Sequence, residues 1–184
     1  MPIILKNISK SYAGKKVLDN ISLEIPDSGI FGVFGASGSG KTTLIRILCG
    51  LEKPDEGEIS GARAFSVVFQ EDRLMPSMTA LENVAAVSDE ACARRILARL
   101  GLEDSLEKYP DELSGGMSRR VAAARAFAFE AEGLILDEPF KGLEAELKES
   151  LAEMICDYAQ KKPVILVTHD QYGKSLAKKF LNFN

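Results

Sequence analysis

Nine consecutive residues near the N-terminus carry the clearest chemistry in this sequence. Glycines among them allow the backbone N–H groups of a loop to converge on one point, and Lys41 adds a mobile cation there. The apolar run 30–34 before the loop predicts a buried strand, and residues 44–48 after it have helical spacing, so the positive end of a helix faces the same point. A nucleotide polyphosphate fits this arrangement. The residues are Gly35, Ala36, Ser37, Gly38, Ser39, Gly40, Lys41, Thr42 and Thr43.

The same nine residues match the Walker A pattern, in which the hydroxyl of Thr42 ligates Mg²⁺. The alternative is a glycine-rich turn that fits a short pattern by chance. The strand before the loop and the helix after it disfavour that alternative.

Acidic and histidine side chains follow two further buried strands. Asp137 and Glu138 come after the run 134–136, and His169 comes shortly after the run 164–167. These positions lie at the carboxyl edge of the predicted sheet, where ligands bind in open α/β proteins. Two adjacent acids are costly to bury unless they bind a cation. The position of the histidine at this edge favours a role in contacting a ligand over a purely structural role.

Two other features stay ambiguous from their residues alone. Tyr12 lies near a turn tip, where it is either a half-buried aromatic or a ligand contact. Ser114 is suited to cap a helix that opens with Gly115 and Gly116, and the exposed N–H groups of such a helix could face an anion. From these residues alone, an ordinary glycine-softened helix start is the better explanation.

The pattern of apolar residues predicts an α/β protein with a mainly parallel sheet. An N-terminal antiparallel pair precedes this core. Residues 77–113 form a small helical insertion, beginning with a capping box at Thr79 and Glu82. The predicted strands cover 3–9, 17–25, 30–34, 58–60, 64–69 (covered on both faces), 134–136, 164–167 and 180–183. One predicted helix includes 44–48 and ends around residue 50, and another begins at 79. Further predicted helices run over 88–100, 114–130, 144–160 and 174–179.

Composition narrows the function classes. The 184 residues suffice for one compact domain, and a net charge of −4 with interspersed signs offers no basic surface for nucleic acid or an anionic membrane. No apolar run approaches a spanning helix and no signal-peptide layout is present, which predicts a soluble cytoplasmic protein. Cys49, Cys92 and Cys156 are expected to be buried reduced thiols, and His169 is the only histidine.

The order of these motifs resembles that of the ATP-binding-cassette (ABC) ATPases over essentially the whole chain. Any one motif is moderate evidence, whereas six in the family's order identify the chain as a member. They are the aromatic Tyr12, the Walker A stretch 35–42, Gln70 of the Q-loop, the signature 113–117, the Walker B stretch 134–138 and the switch residue His169.

The resemblance implies a P-loop NTPase fold and a role for each motif residue. Tyr12 would stack on the adenine, and Lys41 would neutralise the β- and γ-phosphates. Thr42, Gln70 and Asp137 would hold Mg²⁺. Glu138 would act as general base, with His169 holding the γ-phosphate and the water in line. The implied division is a single domain over 1–184, with a RecA-like core at 1–76 and 114–184 and a helical subdomain at about 77–113.

The resemblance also implies partners. Ser114, Gly115 and Gly116 would complete the ATP site of a second cassette in a head-to-tail dimer. Transmembrane permease subunits would be separate chains that dock near residues 71–76, so the protein would lie peripherally on the inner face of the cell membrane. Residues 70–84 and Met117 resemble importers of the nitrate, sulfonate and taurine group, which implies a solute-binding protein and no nucleic-acid partner.

Two residues depart from the family pattern, and other functions remain as alternatives. Met117 stands where glutamine is commonest, and Glu144 stands where the family usually has aspartate. A soluble ABC ATPase acting on the ribosome or nucleic acid is the main alternative, although the chain lacks a basic face. A P-loop kinase of small metabolites is disfavoured by the signature and switch motifs.

Overall fold

The computed structural model describes residues 1–61 and 64–183 of the protein. Residues 62, 63 and 184, which fall inside the predicted core ranges, lie outside the described residues. The strands are β1 (Ile3–Tyr12), β2 (Lys15–Ile25), β3 (Gly29–Gly35), β4 (Glu56–Ser60), β5 (Phe65–Val68), β6 (Gly133–Asp137), β7 (Pro163–Val167) and β8 (Lys179–Phe183). The helices are α1 (Lys41–Leu48), α2 (Ala80–Ala85), α3 (Glu90–Arg99), α4 (Gly115–Ala128), α5 (Ala145–Ala159) and α6 (Gln171–Leu176).

A parallel sheet of five strands forms the centre of the molecule, in the order β5-β6-β7-β3-β8. Every residue of β6 and β7 is buried, as the unbroken apolar runs predicted. The order places β3, with the glycine loop after it, directly beside β7. The predicted α/β fold with a parallel sheet is therefore confirmed.

A separate antiparallel sheet has the order β2-β1-β4. Its apolar side chains share one buried cluster with α1 and with one face of the central sheet. The other face of the central sheet packs against a second cluster, formed mainly by α2 to α5. The antiparallel sheet thus closes over the helix that follows the glycine loop.

Helices α2, α3 and α4 lie between β5 and β6. The predicted capping box at Thr79 and Glu82 is present at the start of α2. Asn83 is fully buried and its amide donates to the carbonyls of Met75, Met78 and Thr79. The buried amide ties α2 to the loop that follows β5. Two short 3₁₀ turns, Glu103–Ser105 and Pro110–Glu112, separate α3 from α4.

Several predicted details differ from the structure. Strand β5 lies at an edge of the sheet and fully buries only Ser66 and Val68. Phe65 and Val67 on its other face are partly buried, so that face is incompletely covered. The last helix, α6, begins near the Asp170 cap and ends at Leu176, earlier than predicted, because the Asp170 side chain accepts from the Tyr172 N–H. All three cysteines are free thiols as predicted, but none is fully buried: Cys49 and Cys92 are partly exposed and Cys156 is exposed.

Within residues 1–61 and 64–183, no helix is both long enough and apolar enough to cross a membrane.

Candidate functional site

The carboxyl ends of three neighbouring strands meet at one edge of the central sheet. Val167 of β7 pairs with Val33 of β3 on one side and with Asp137 of β6 on the other. Because the strands are parallel, the residues that follow them leave the sheet at the same edge. The glycine loop, the acidic pair and the segment with His169 are thereby brought together.

The glycine loop joins β3 to α1 and holds its lysine close. The Lys41 ammonium donates to the carbonyls of Gly35 at 2.8 Å and Ala36 at 2.7 Å. Gly40 caps α1 with a φ of +106°, and a Cβ there would lie 2.8 Å from the Val17 carbonyl oxygen, so both conformation and space require glycine. Of the described buried side-chain polar atoms, the Ser39 hydroxyl in this loop has no hydrogen-bond partner. A loop at a helix N-terminus that also carries a cation and an unused hydroxyl fits an anionic oxygen-rich ligand.

Asp137 is a buried acid at the end of β6, with 7% of its surface exposed. Burial, and then the neighbouring Glu138 charge, raise the pKa of its carboxyl, whereas Lys41 and Arg119 act in the opposite direction. Asp137 shares the lining of a cavity of about 400 Å³ with Thr42 and Gln70. Carboxylate, hydroxyl and amide oxygens form the donor set that Mg²⁺ prefers, and a cation would relieve the cost of the buried charge. These residues therefore fit the implied ion.

Glu138 follows with a strained backbone and a fixed carboxylate. Its φ is +52°, a region that costs a non-glycine residue about 1 kcal/mol or more. One carboxylate oxygen accepts from the His169 N–H at 3.1 Å and lies 2.6 Å from His169 Nδ1. The other accepts from the Thr168 hydroxyl at 3.1 Å. The Glu138 side chain is 13% exposed and that of His169 is 72% exposed, so a restrained acid lies beside an accessible imidazole.

Tyr12 lies at the end of β1, with 40% of its surface exposed. Its hydroxyl donates to Glu52, the main reason why its pKa is raised. The Lys10 ammonium lies 5.8 Å from the centre of the ring and pairs with Asp55 at 2.8 Å. The ring is thus anchored through its hydroxyl to the loop after α1 and remains partly open to a stacking ligand.

Ser114 caps α4, as predicted, by accepting from the Met117 N–H at 3.2 Å. Ser114 and Gly115 are exposed. None of the hydrogen bonds between described residues joins Ser114, Gly115 or Gly116 to the glycine loop of the same chain. The structure therefore does not bring this predicted element into the site formed by the three strand ends.

Sequence reasoning missed Arg119, which lies on α4 and has a side chain 13% exposed. Its guanidinium donates to the Gln70 carbonyl, the Asp72 carboxylate and the Glu138 carbonyl. The adjacent Arg120 instead donates to the carbonyls of Leu100 and Gly101. No local signal distinguishes two consecutive arginines, because only the direction of each side chain around the helix selects its partners.

Comparison with known proteins places these features in context. The ABC transporter family profile matches residues 18–141. The chain is 43% identical to the aliphatic sulfonates import ATP-binding protein SsuB 3 of Rhodococcus jostii (strain RHA1), over 92% of this chain and 66% of that protein. It is 38% identical to the probable sulfate/thiosulfate import ATP-binding protein CysA of Chlorella vulgaris, over 92% of this chain and 81% of that protein. The predicted likeness to the sulfonate importer group is confirmed.

Solved structures agree with this likeness. The dimeric post-hydrolysis structure of the ATP-binding cassette MJ0796 with ADP and Pi has a TM-score of 0.86 and 29% identity, covering 99% of this chain and 94% of that one. The structure of an ATP-binding subunit of an ABC transporter has a TM-score of 0.88 and 25% identity, covering 100% of this chain and 86% of that one. The chain spans about two thirds of the length of the aliphatic sulfonate relatives that it matches.

The burial of Asp137 leads to a stability prediction. Because folding raises the pKa of this carboxyl, its charged form opposes folding at neutral pH, and this effect fades as the pH falls toward the raised pKa. Asp137→Asn should therefore raise the melting temperature of the nucleotide-free, metal-free protein. Calorimetry in EDTA at several pH values measures this difference. Asp111→Asn, at an exposed acid, is the control. A less stable Asp137→Asn protein at neutral pH would contradict the prediction.

Proposed function

The chain belongs to the ABC transporter family, and we propose that it is the ATP-binding and ATP-hydrolysing subunit of a transporter. The observation that carries this proposal is the Glu138 carboxylate, held by Thr168 and His169 at the sheet edge that also presents the glycine loop. A restrained acid beside a phosphate-binding loop suits proton transfer from water during phosphoryl transfer. The family membership makes ATP the natural substrate.

Binding would use the loop and the tyrosine. The loop N–H groups and the N-terminus of α1 would hold the phosphates, and Lys41 would exchange the carbonyls of Gly35 and Ala36 for phosphate oxygens. The anchored ring of Tyr12 would stack on the adenine. Thr42, Gln70 and Asp137 would hold Mg²⁺, which neutralises phosphate charge when bound. In this proposal Glu138 and His169 have no part in binding the base or the sugar. They act in the hydrolysis step.

Hydrolysis would depend on the residues that follow β6 and β7. Glu138 would accept a proton from the attacking water, and its hydrogen bonds from Thr168 and His169 keep the carboxylate in one orientation. The exposed imidazole of His169 would contact the terminal phosphate. The positive φ of Glu138 is consistent with a catalytic position, since strain of this kind is concentrated at functional sites.

A second cassette would complete the site. The exposed N-terminus of α4, with Ser114, Gly115 and Gly116, has no role toward its own glycine loop and would donate to the phosphate of a partner in a head-to-tail dimer. The dimeric structures of the similar MJ0796 cassette support the formation of a dimer. ATP binding would close the pair and hydrolysis would open it.

Transport would require other chains. Permease subunits would dock on the partly exposed loop 71–76 beside α2 and α3. We treat these two helices as part of a subdomain at about 77–113 on a core at 1–76 and 114–184. The protein would then lie peripherally on the inner face of the membrane. The names of its relatives favour import, with a solute-binding protein as a further component.

The proposed base gives a direct test. Glu138→Gln should lower the rate of ATP hydrolysis by about 10²–10⁴-fold, because the amide cannot accept the proton from water, while ATP binding and the ATP-bound dimer persist. Steady-state phosphate release and size-exclusion chromatography with ATP measure the two effects. Glu146→Gln, at an exposed acid in the first turn of α5, is the control. Hydrolysis at the parental rate would exclude Glu138 as the base.

The proposed composite site gives a second test. Ser114→Arg should leave nucleotide binding by the monomer intact but abolish cooperativity and lower hydrolysis by about 10²-fold or more, because the partner's phosphate loses its donors. Asp89→Arg removes the equivalent cap from α3, which lies outside the proposed interface, and so controls for loss of helix stability. Unchanged cooperative hydrolysis in the Ser114 variant would remove the case for a shared site.

The transporter assignment is tested by isolating the native complex. A tagged chain purified from detergent-solubilised membranes should bring with it a multi-span membrane protein, and charge substitutions at Glu71 and Arg73 should weaken that association. Mass spectrometry of the purified complex identifies the partner. A complex that contains only soluble proteins and RNA would contradict the assignment.

A further inference from the structure

Arg119 joins three segments that are distant in sequence. Its side chain is mostly buried, and each of its donors has a different partner. Nη2 donates to the Gln70 carbonyl at 2.6 Å, Nε to the Asp72 carboxylate at 3.1 Å and Nη1 to the Glu138 carbonyl at 3.2 Å. The side chain of Arg119 therefore connects helix α4, to which the residue belongs, with the loop after β5 and with the residue that follows β6.

Two of these segments carry proposed site residues. Gln70 would ligate Mg²⁺ and Glu138 would activate water, and Arg119 holds the backbone of each rather than its side chain. A guanidinium is a rigid planar fork with fixed donor directions. Holding both carbonyls on one fork fixes the distance between Gln70 and Glu138.

The ion pair with Asp72 offsets the cost of burying the Arg119 charge. The Asp72 side chain is only 20% exposed, so each partner neutralises a charge that would be costly if left alone. Arg119 also supports the strained turn at Glu138, whose carbonyl receives the Nη1 donor while its φ is +52°. The cluster is therefore a built connection and not a chance surface contact.

The neighbouring arginine shows what a purely architectural role looks like on the same helix. Arg120 donates to the carbonyls at the end of α3 and to the Gly116 carbonyl of its own helix. Among the described residues, none of its hydrogen bonds reaches the Gln70 loop or Glu138. Two adjacent arginines thus serve different parts of the molecule. This contrast supplies a matched control.

We propose that Arg119 is a positioning residue that fixes Gln70 against Glu138 and so sets the Mg²⁺-dependent part of nucleotide binding. The proposal rests on the proposed function, because it assigns Gln70 and Glu138 their roles in ATP binding and hydrolysis. It goes beyond that function by giving α4 a task within its own chain. The same helix would serve its own site through its second turn and the partner's site through its first.

The test compares Arg119→Lys with Arg120→Lys in the full chain. Lysine keeps the charge that Asp72 requires, so the variant is expected to fold. Its donors diverge from a single nitrogen and therefore cannot match three acceptors arranged around a planar fork. The dissociation constant of a non-hydrolysable ATP analogue is measured by fluorescence in EDTA and in saturating Mg²⁺. The Mg²⁺ gain is the ratio of the affinity in Mg²⁺ to the affinity in EDTA. Arg119→Lys should bind the analogue normally in EDTA, but its Mg²⁺ gain should be about 10- to 100-fold smaller than that of the parent. This is the usual effect of removing a residue that supports a metal ligand.

A second readout reports on the loop itself. Amide hydrogen exchange over residues 70–73 should be faster in Arg119→Lys than in the parent, and unchanged in Arg120→Lys. Arg120→Lys should also keep the full Mg²⁺ gain. Arg119→Met, which removes every donor while keeping an unbranched, flexible side chain, should lose at least as much of the gain as Arg119→Lys.

The outcomes separate the two proposals. A parental protein whose nucleotide affinity does not respond to Mg²⁺ would overturn the proposed function and this inference with it. A parental protein that responds, together with an Arg119→Lys variant that keeps the whole Mg²⁺ gain, would overturn the positioning role alone. An equal loss in both lysine variants would also overturn it, because a general effect of α4 stability would then explain the result.

Discussion

The register between β3, β7 and β6 is the constraint on which the rest of the site depends. Val167 is paired with Val33 on one side and with Asp137 on the other, and all three strands run in the same direction. A shift of one residue would turn each strand's side chains to the opposite face of the sheet. The complete burial of β6 and β7 by helices and by the antiparallel sheet fixes this register, so the packing of the core and the geometry of the site are one problem.

The site concentrates features that oppose folding. Asp137 is buried beside a second acid, Glu138 has a positive φ, and the Ser39 hydroxyl is buried without a partner among the described groups. Each is unfavourable in isolation. The surrounding sheet is rigid enough to hold them, and a bound polyphosphate with its cation would remove the cost of at least the charge and the hydroxyl.

Helix α4 connects the regions that would act together. Its capped N-terminus is exposed, its second turn carries Arg119 into the strand-end site, and Arg125 further along donates to the carbonyls of Asp72 and Arg73. The loop after Gln70 is consequently held from α4 at two points and from α2 by Asn83. A movement of α4 toward a partner cassette would therefore displace the loop that is proposed to contact the permease.

Sequence by itself determined the elements and the chemistry that they carry. Unbroken apolar runs predicted the buried strands, the glycine loop predicted the strand–loop–helix unit, and the caps at Thr79 and Ser114 formed as their side chains required. These features are local, because periodicity and capping depend on residues a few positions apart. Only the tertiary structure decided that β5 is an edge strand, that Cys156 is exposed, and that Arg119 rather than Arg120 reaches the site. Arg119 and Asp72 are 47 positions apart, and the packing of α4 against the sheet, which no local pattern encodes, brings them together.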